Sequence, residues 1–494
     1  MKKSHIKNIC LSISCLMAVG GAISAFAYNN SETIRVDASG SLTGSGTADD
    51  PYKIGDKGAL EKFRDIVNGS NGETQNDSAY AILTNSFDAG YSESNQWVPF
   101  SRYKGVFDGQ DYKISGLCMN TNNTNAAFVL VLDSSGEINN LTVGGSFKAT
   151  DSNNSSAGGF ASINFGRITR CTNEATITGA CSVGGIAGKN WNYIGSCANK
   201  GQVISTSSSS DQYNACGGIV GYMSVYGNDY PASRVENSYN LGSITVGRVA
   251  GGIVGYPRSN YSKNVAVKNS FNMGALGSGG SANYKGAIAG NNYNSNYSDN
   301  YYLDTSYTAA VKGGTKSGCT SLTIDQFKVQ SNFSNWDFAN IWRLNENDDY
   351  PVLRLPLTEA KQFASLFIEQ TGTICSSGGE SADHSEALSN IWSTLNTAWN
   401  GLSSGAKTIL NDGGSEGADA TIADFYERYC HIVDRYGDDF AFSGGPVVQN
   451  AGNRIFNNSI AENDGSIIVI VTISVSSAIA LVGLCFLKRK RSRS

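Results

Sequence analysis

Histidine is almost missing from this chain, with three in 494 residues. His5 falls in an N-terminal stretch that reads as a removable leader, so His384 and His431 are what remain. Chemistry that relies on imidazole, whether Ser-His-Asp, Cys-His or a histidine-held metal, has little to draw on. Cys430 and His431 are sequence neighbours, so on a helix their side chains diverge by about 100°. No Cys-x-x-Cys occurs, and neither a metal nor any other cofactor is expected. Positive charge is also short where a polyanion would need it. Setting aside three N-terminal lysines and five tail bases leaves 29 bases against 42 acids, about −13, over residues 28–466. That balance argues against a nucleic acid partner.

Long uncharged apolar runs are confined to the two ends. Lys2, Lys3 and Lys7 precede an apolar stretch that closes on Ala25-Phe26-Ala27, the pattern of a signal peptide over residues 1–27. Residues 467–487 are 21 residues without a charge, long enough to cross the roughly 30 Å hydrocarbon core as a transmembrane helix. Lys488, Arg489, Lys490, Arg491 and Arg493 follow, which places residues 488–494 in the cytoplasm. The expectation is a cell membrane protein with a single span, its bulk extracellular. No Leu-Pro-x-Thr-Gly signal precedes the span, so covalent wall attachment is not expected.

Eight cysteines lie outside the leader and the span, an even number in an oxidising place. Cys171 and Cys197 hold equivalent repeat positions on coils about 4.8 Å apart. They read as a stacked apolar ladder or a bridge, with the ladder favoured because Cys is a common small buried residue. Cys375 and Cys430 both fall in a helical region and are a candidate disulfide.

What the chain has in abundance is recurrence. Ala157-Gly158-Gly159-Phe160-Ala161 is followed by Gly184-Gly185-Ile186-Ala187-Gly188 and Gly217-Gly218-Ile219-Val220-Gly221. Gly251-Gly252-Ile253-Val254-Gly255 and Gly286-Ala287-Ile288-Ala289-Gly290 complete the series, in steps of 26, 33, 34 and 35 residues. A second element trails each one, as in Cys197-Ala198-Asn199-Lys200-Gly201, Tyr239-Asn240-Leu241-Gly242 and Phe271-Asn272-Met273-Gly274. Such a period means stacked units, each too small to bury its own apolar face. Gly, Asn and Ser stand where they would destabilise a helix, and each repeat reads as two or three short strands. The fold class is mainly β, a parallel β-helix (solenoid). Asn of the second element suits left-handed corners and can bond the Asn of the next coil.

Along the chain, residues 28–45 read as a polar tether and residues 46–357 as the β-helix. Leu60, Phe63, Ile66 and Val67 share one face of a helix over residues 57–68, suited to capping the first coil. Residues 358–442 change to helical spacing, for example Ile391, Leu395, Ala398 and Leu402, giving a small α-helical module. Residues 443–466 form a Gly- and Asn-containing spacer to the span.

The Gly-Gly-Ile-Val-Gly recurrence, followed by Asn237-Ser238-Tyr239-Asn240-Leu241-Gly242, resembles the GLUG repeat (GLUG motif) of bacterial surface proteins. The lead-in Pro51-Tyr52-Lys53-Ile54 and the exit Tyr350-Pro351-Val352-Leu353-Arg354 agree with it. The helical module, with Arg428-Tyr429-Cys430-His431-Ile432-Val433, resembles membrane-proximal modules of Gram-positive-type surface proteins. The resemblance implies adhesins or the accessory stalks of proteases. Zinc proteases that carry such stalks need a His-Glu-x-x-His helix, and this chain has none. The chain is therefore expected not to be an enzyme. An alternative is an envelope-bound polysaccharide lyase or glycosidase acting through carboxylates such as Asp211, Asp229 and Glu236. A ligand-free structural spacer is a further alternative.

Binding residues are sought among aromatics that follow the small-residue element at similar offsets: Trp191 and Tyr193, Tyr222 and Tyr226, Tyr256 and Tyr261, with Tyr293 and Tyr297 behind them. Stacking the coils would gather them on one flank, where aromatic faces beside Asn and Ser can hold sugar rings or polar peptides. The leading expectation is a cell-surface adhesin contacting a host or neighbouring-cell glycan or surface protein.

Overall fold

Equivalent residues of successive repeats lie side by side. Ser156 pairs with Ser182, Ala161 with Ala187, Arg167 with Tyr193 and Ile177 with Val203, every pair in parallel. The computed structural model describes residues 42–447 apart from residues 123, 152–154, 207–213, 246–248, 278–283, 305–308, 313–315, 345–347, 373–383 and 415–418. Residues 467–487, the expected span, lie outside the described residues, as do the leader and the tail. Among the described residues no helix is long and apolar enough to cross a membrane.

The result is a mainly β parallel solenoid of about eight turns. One full turn contains five short strands: Ser156–Gly158, Ala161–Asn164, Arg167–Thr169, Thr172–Asn173 and Thr176–Gly179. Two or three strands per repeat was an undercount. The glycine-rich pentapeptide is a corner rather than a strand: Gly184 ends one strand, Gly185 and Ile186 turn, and Ala187 begins the next. Described strands stack into a nine-stranded sheet, a twelve-stranded sheet and two six-stranded sheets.

Apolar columns fill the interior. Ile138, Ile168, Ile194, Val235 and Val267 follow one another through the nine-stranded sheet, all fully buried. The corner residues Phe160, Ile186, Ile219, Ile253 and Ile288 form another buried column. Each buried Ile contributes roughly 1.5–3 kcal/mol through the water it sheds, but only after its neighbours have stacked.

Polar ladders run beside the apolar columns. Asn173 donates Nδ2 to Asn199 Oδ1 at 2.7 Å, Asn199 to Asn240 at 2.7 Å, and Asn240 to Asn272 at 2.8 Å. Each also donates to a carbonyl two residues on, Ala175, Gly201, Gly242 and Gly274 in turn. All four are fully buried, and the ladder satisfies both amide protons of Asn173, Asn199 and Asn240. Asn therefore does bond the Asn of the next coil. The left-handed corner, however, belongs to a column three residues earlier: Asn140, Arg170, Ser196, Asn237, Asn269 and Asp299, with φ between 47° and 53°.

The residues paired in register beside that ladder, Tyr239 and Phe271, stack at 4.9 Å, joined by Tyr301. They are covered by Phe327, Phe333, Trp336 and Trp342 in a second apolar cluster. The helix Lys57–Asn68 starts on Asp56, whose carboxylate accepts from Ala59 N at 2.8 Å, and sets Phe63 edge-on against Phe100 and Tyr103. Helices Pro356–Thr371, Ser385–Asn400, Ser404–Asn411 and Ala420–Tyr436 follow the last coil. The first of these meets the solenoid where Thr358 donates to Asp111 through its amide (3.1 Å) and hydroxyl (3.2 Å), and Lys361 donates to Tyr112 Oη at 3.0 Å.

Candidate functional site

An aromatic patch forms where the strands carrying Asn164 and Asn190 end. Phe165 and Trp191 each follow a fully buried Asn of one ladder, Asn164 donating to Asn190 at 2.7 Å, so the two rings leave the solenoid on adjacent coils. They stack with centroids 6.3 Å apart and planes 15° off parallel. Tyr226 stands edge-on to both, at 4.8 Å from Phe165 and 5.6 Å from Trp191, and Tyr230 closes the group at 5.0 Å from Tyr226. Tyr226 and Tyr230 are 51% and 37% exposed, so the group presents apolar ring surface to water. Lys263 holds their loop in place, its ammonium donating to the carbonyls of Asn228 and Tyr230 at 2.5 Å.

The first six aromatic residues singled out in the sequence divide into four groups. Trp191 and Tyr226 belong to the exposed patch. Tyr222 and Tyr256 pair in register, 5.7 Å apart, but at 7% and 3% exposed they are a floor beneath Trp191 rather than a contact surface. Lys189 stands in the same column, and burial draws its ammonium below its ordinary range. Tyr261, 49% exposed, occupies a left-handed turn position apart from these ring pairs. Tyr193 lies in the nine-stranded sheet, where its register neighbours are Arg167 and Arg234. Their guanidinium carbons approach its ring to 4.5 and 5.1 Å. Burial, with Glu236 next, pushes the Tyr193 phenol up.

Phe165 and Tyr230 were missed. Phe165 had a usable signal, since Asn164-Phe165-Gly166-Arg167 and Asn190-Trp191-Asn192-Tyr193 are equivalent positions of adjacent coils. Tyr230 had none, because its loop brings it back by a path that repeat spacing does not encode.

The remaining residues named from sequence fall as follows. Cys430 is buried, and Cys375 lies outside the described residues. Cys171 and Cys197 carry free thiols, each directed at backbone carbonyls, which is the ladder rather than the bridge. Of the three acids weighed for a glycosidase, Asp211 is outside the described residues, Asp229 is exposed, and Glu236 lies 3.8 Å from Arg234.

Comparison with known proteins adds the following. No family model matches the chain. Over 127 residues it is 32% identical to a provisionally named Gly-rich membrane protein of Evansella cellulosilytica, covering 25% of this chain and 14% of that relative. The chain thus spans about one seventh of the relative's length. A solved structure from Bacteroides ovatus, provisionally named an immunoglobulin A1 protease, covers 63% of this chain and 94% of its own at 20% identity, with a TM-score of 0.46. A Gly-rich membrane-protein homologue and a β-solenoid fold are consistent with a surface protein, while membership of the GLUG-repeat family is not shown. The expectation that the chain is not an enzyme is corrected: a solved neighbour carries a protease name, and a non-enzymatic assignment is not carried forward.

Proposed function

We propose that this chain is a cell-surface binding protein whose solenoid presents the Phe165, Trp191, Tyr226 and Tyr230 rings to a glycan or protein of a host or neighbouring cell. The observation that carries this reading is the patch itself: four mutually packed rings from three coils, with exposed faces, set on a floor of buried tyrosines. Rings fixed in this way lose little freedom on binding, and flat aromatic faces take sugar rings by apolar stacking. In this reading the coils are GLUG-type, and the helix Lys57–Asn68 closes their first edge. The four C-terminal helices stand near the membrane, and residues 467–487 anchor the chain in a single span with residues 488–494 in the cytoplasm.

The test is a glycan array probed with the intact chain and with a Trp191→Ala, Tyr226→Ala double variant. Binding that falls about tenfold or more in the variant, at unchanged melting temperature, supports the patch. Equal binding by both rejects it.

A further inference from the structure

A second feature lies one sheet away from the aromatic patch. The left-handed corner column is filled by Asn, Ser and Asp, residues that tolerate positive φ, at every position but one. Arg170 holds that corner at φ 52°, a long cationic side chain on a strained backbone. It is exposed, and its side chain makes no hydrogen bond or ion pair within 4 Å among the described residues.

Arg170 lines a cleft of about 300 Å³ with Arg167, Arg354, Tyr193, Asn237 and Asn340, and no carboxylate is among the lining residues. Arg354 and Arg167 have carboxylate partners outside this lining, so the cation left for a ligand in the cleft is Arg170, which also lines a neighbouring cleft with Asp108, Asp412 and Asp419. The nearby acids are already engaged. Glu359 accepts from Arg354 at 3.0 Å, Glu137 lies 3.9 Å from Arg167, and Asp111 is held by Thr358. Arg354 is fixed further by donating Nε to the carbonyls of Phe338 and Trp342. One polar atom of the cleft stands out: Asn237 Oδ1 is buried and accepts no hydrogen bond from the described residues. The donor such an acceptor needs comes from outside the described residues, a water or a ligand hydroxyl.

The cleft therefore offers the Arg170 guanidinium for an anionic group, an aromatic face in Tyr193, and an acceptor for a hydroxyl. We propose that it binds the carboxylate-bearing sugar unit of an acidic glycan. The carboxylate meets Arg170, a hydroxyl donates to Asn237 Oδ1, and the ring lies against Tyr193. The volume is at the small end for ligand sites, which suits one sugar unit. The choice of a glycan rests on the surface-binding reading above; the anion preference does not.

Calorimetry on the intact chain tests this with three probes: a glucuronic-acid-containing disaccharide, the matching neutral glucose disaccharide, and inorganic sulfate. The acidic disaccharide is expected to bind at least tenfold tighter than the neutral one, with affinity falling as salt rises. Arg170→Asn, which suits the left-handed corner and keeps the fold, is expected to abolish that preference. The Trp191→Ala, Tyr226→Ala variant is expected to retain it, so that failure of the aromatic patch and failure of the cleft are read separately. The proposal is overturned if acidic and neutral sugars bind equally, if neither binds, or if Arg170→Asn binds the acidic sugar as wild type does. Sulfate binding as tightly as the acidic disaccharide would also overturn it, leaving a plain anion site without sugar recognition.

Discussion

Gly185 and Asn199 touch across the interior of one coil, and each dictates the other. A Cβ at Gly185 would come closer than 3.0 Å to the Asn199 side chain and to the Gly218 carbonyl of the next coil. That carbonyl accepts the Gly185 N–H at 3.1 Å, so the corner cannot back away without losing its bond to the next coil. Gly185→Ala is accordingly expected to cost about 1–3 kcal/mol as overpacking. Asn199→Ala is expected to cost a similar amount, about 1–3 kcal/mol, because it leaves Asn173 and Asn240 without their partner. Thermal melts followed by circular dichroism measure both. A midpoint within experimental error of wild type for either variant would show that the ladder contributes nothing.

The stacking of parallel coils was legible because small residues and asparagines returned at steps of 26 to 35 residues, and such a period leaves few architectures open. The internal layout of a coil was not. Strands of two residues, such as Thr172–Asn173 and Ala198–Asn199, are too short to show alternation, so five strands per coil read as two or three. The binding surface was legible in part. Similar offsets from the glycines brought Trp191 and Tyr226 into view, yet the same rule placed Tyr222 and Tyr256 beside them, where register and burial make them a floor. Tyr193 is two residues from Trp191 but has turned onto the next sheet, a consequence of corners that repeat spacing alone cannot locate.

Asp65 in the first helix is one of the carboxylates, with Asp133, Asp337 and Asp419, that make the fold sensitive to acid. Burial would push its carboxyl up, but hydrogen bonds from Asn71, Arg64 and Ser70 prevail and hold it below the usual carboxylate range. A carboxylate depressed in the folded state stabilises the protein above its unfolded value of about 3.9, and that stabilisation is lost as pH falls through the folded value. Wild type is therefore expected to be more stable than Asp65→Asn at pH 6, with the gap narrowing steadily below about pH 4. Denaturant melts across that range check it. A gap that stays constant would assign no linkage to Asp65.

Thiol chemistry offers a separate check on the stacked cysteines. Burial, followed by the neighbouring Cys197, pushes the Cys171 thiol up, and burial raises the Cys319 thiol to about 12. Thiolate is the reactive form, so Cys171 and Cys319 are expected to resist iodoacetamide in the native chain, and Cys197 to resist it because it is fully buried, with all three alkylated after denaturation. Peptide mass mapping reads the outcome. A disulfide joining Cys171 to Cys197, or rapid native alkylation of either, would contradict the ladder.

The central claim is that contact runs through the exposed aromatic patch on stacked coils. Hydroxyl-radical footprinting of the intact chain, alone and with an array-positive glycan, tests it most directly. The account predicts that Trp191, Tyr226 and Tyr230 are oxidised in the free chain and protected by the glycan, with Tyr222 and Tyr256 silent in both states. Protection confined to other residues, or ready oxidation of Tyr222 and Tyr256 in the free chain, would contradict it.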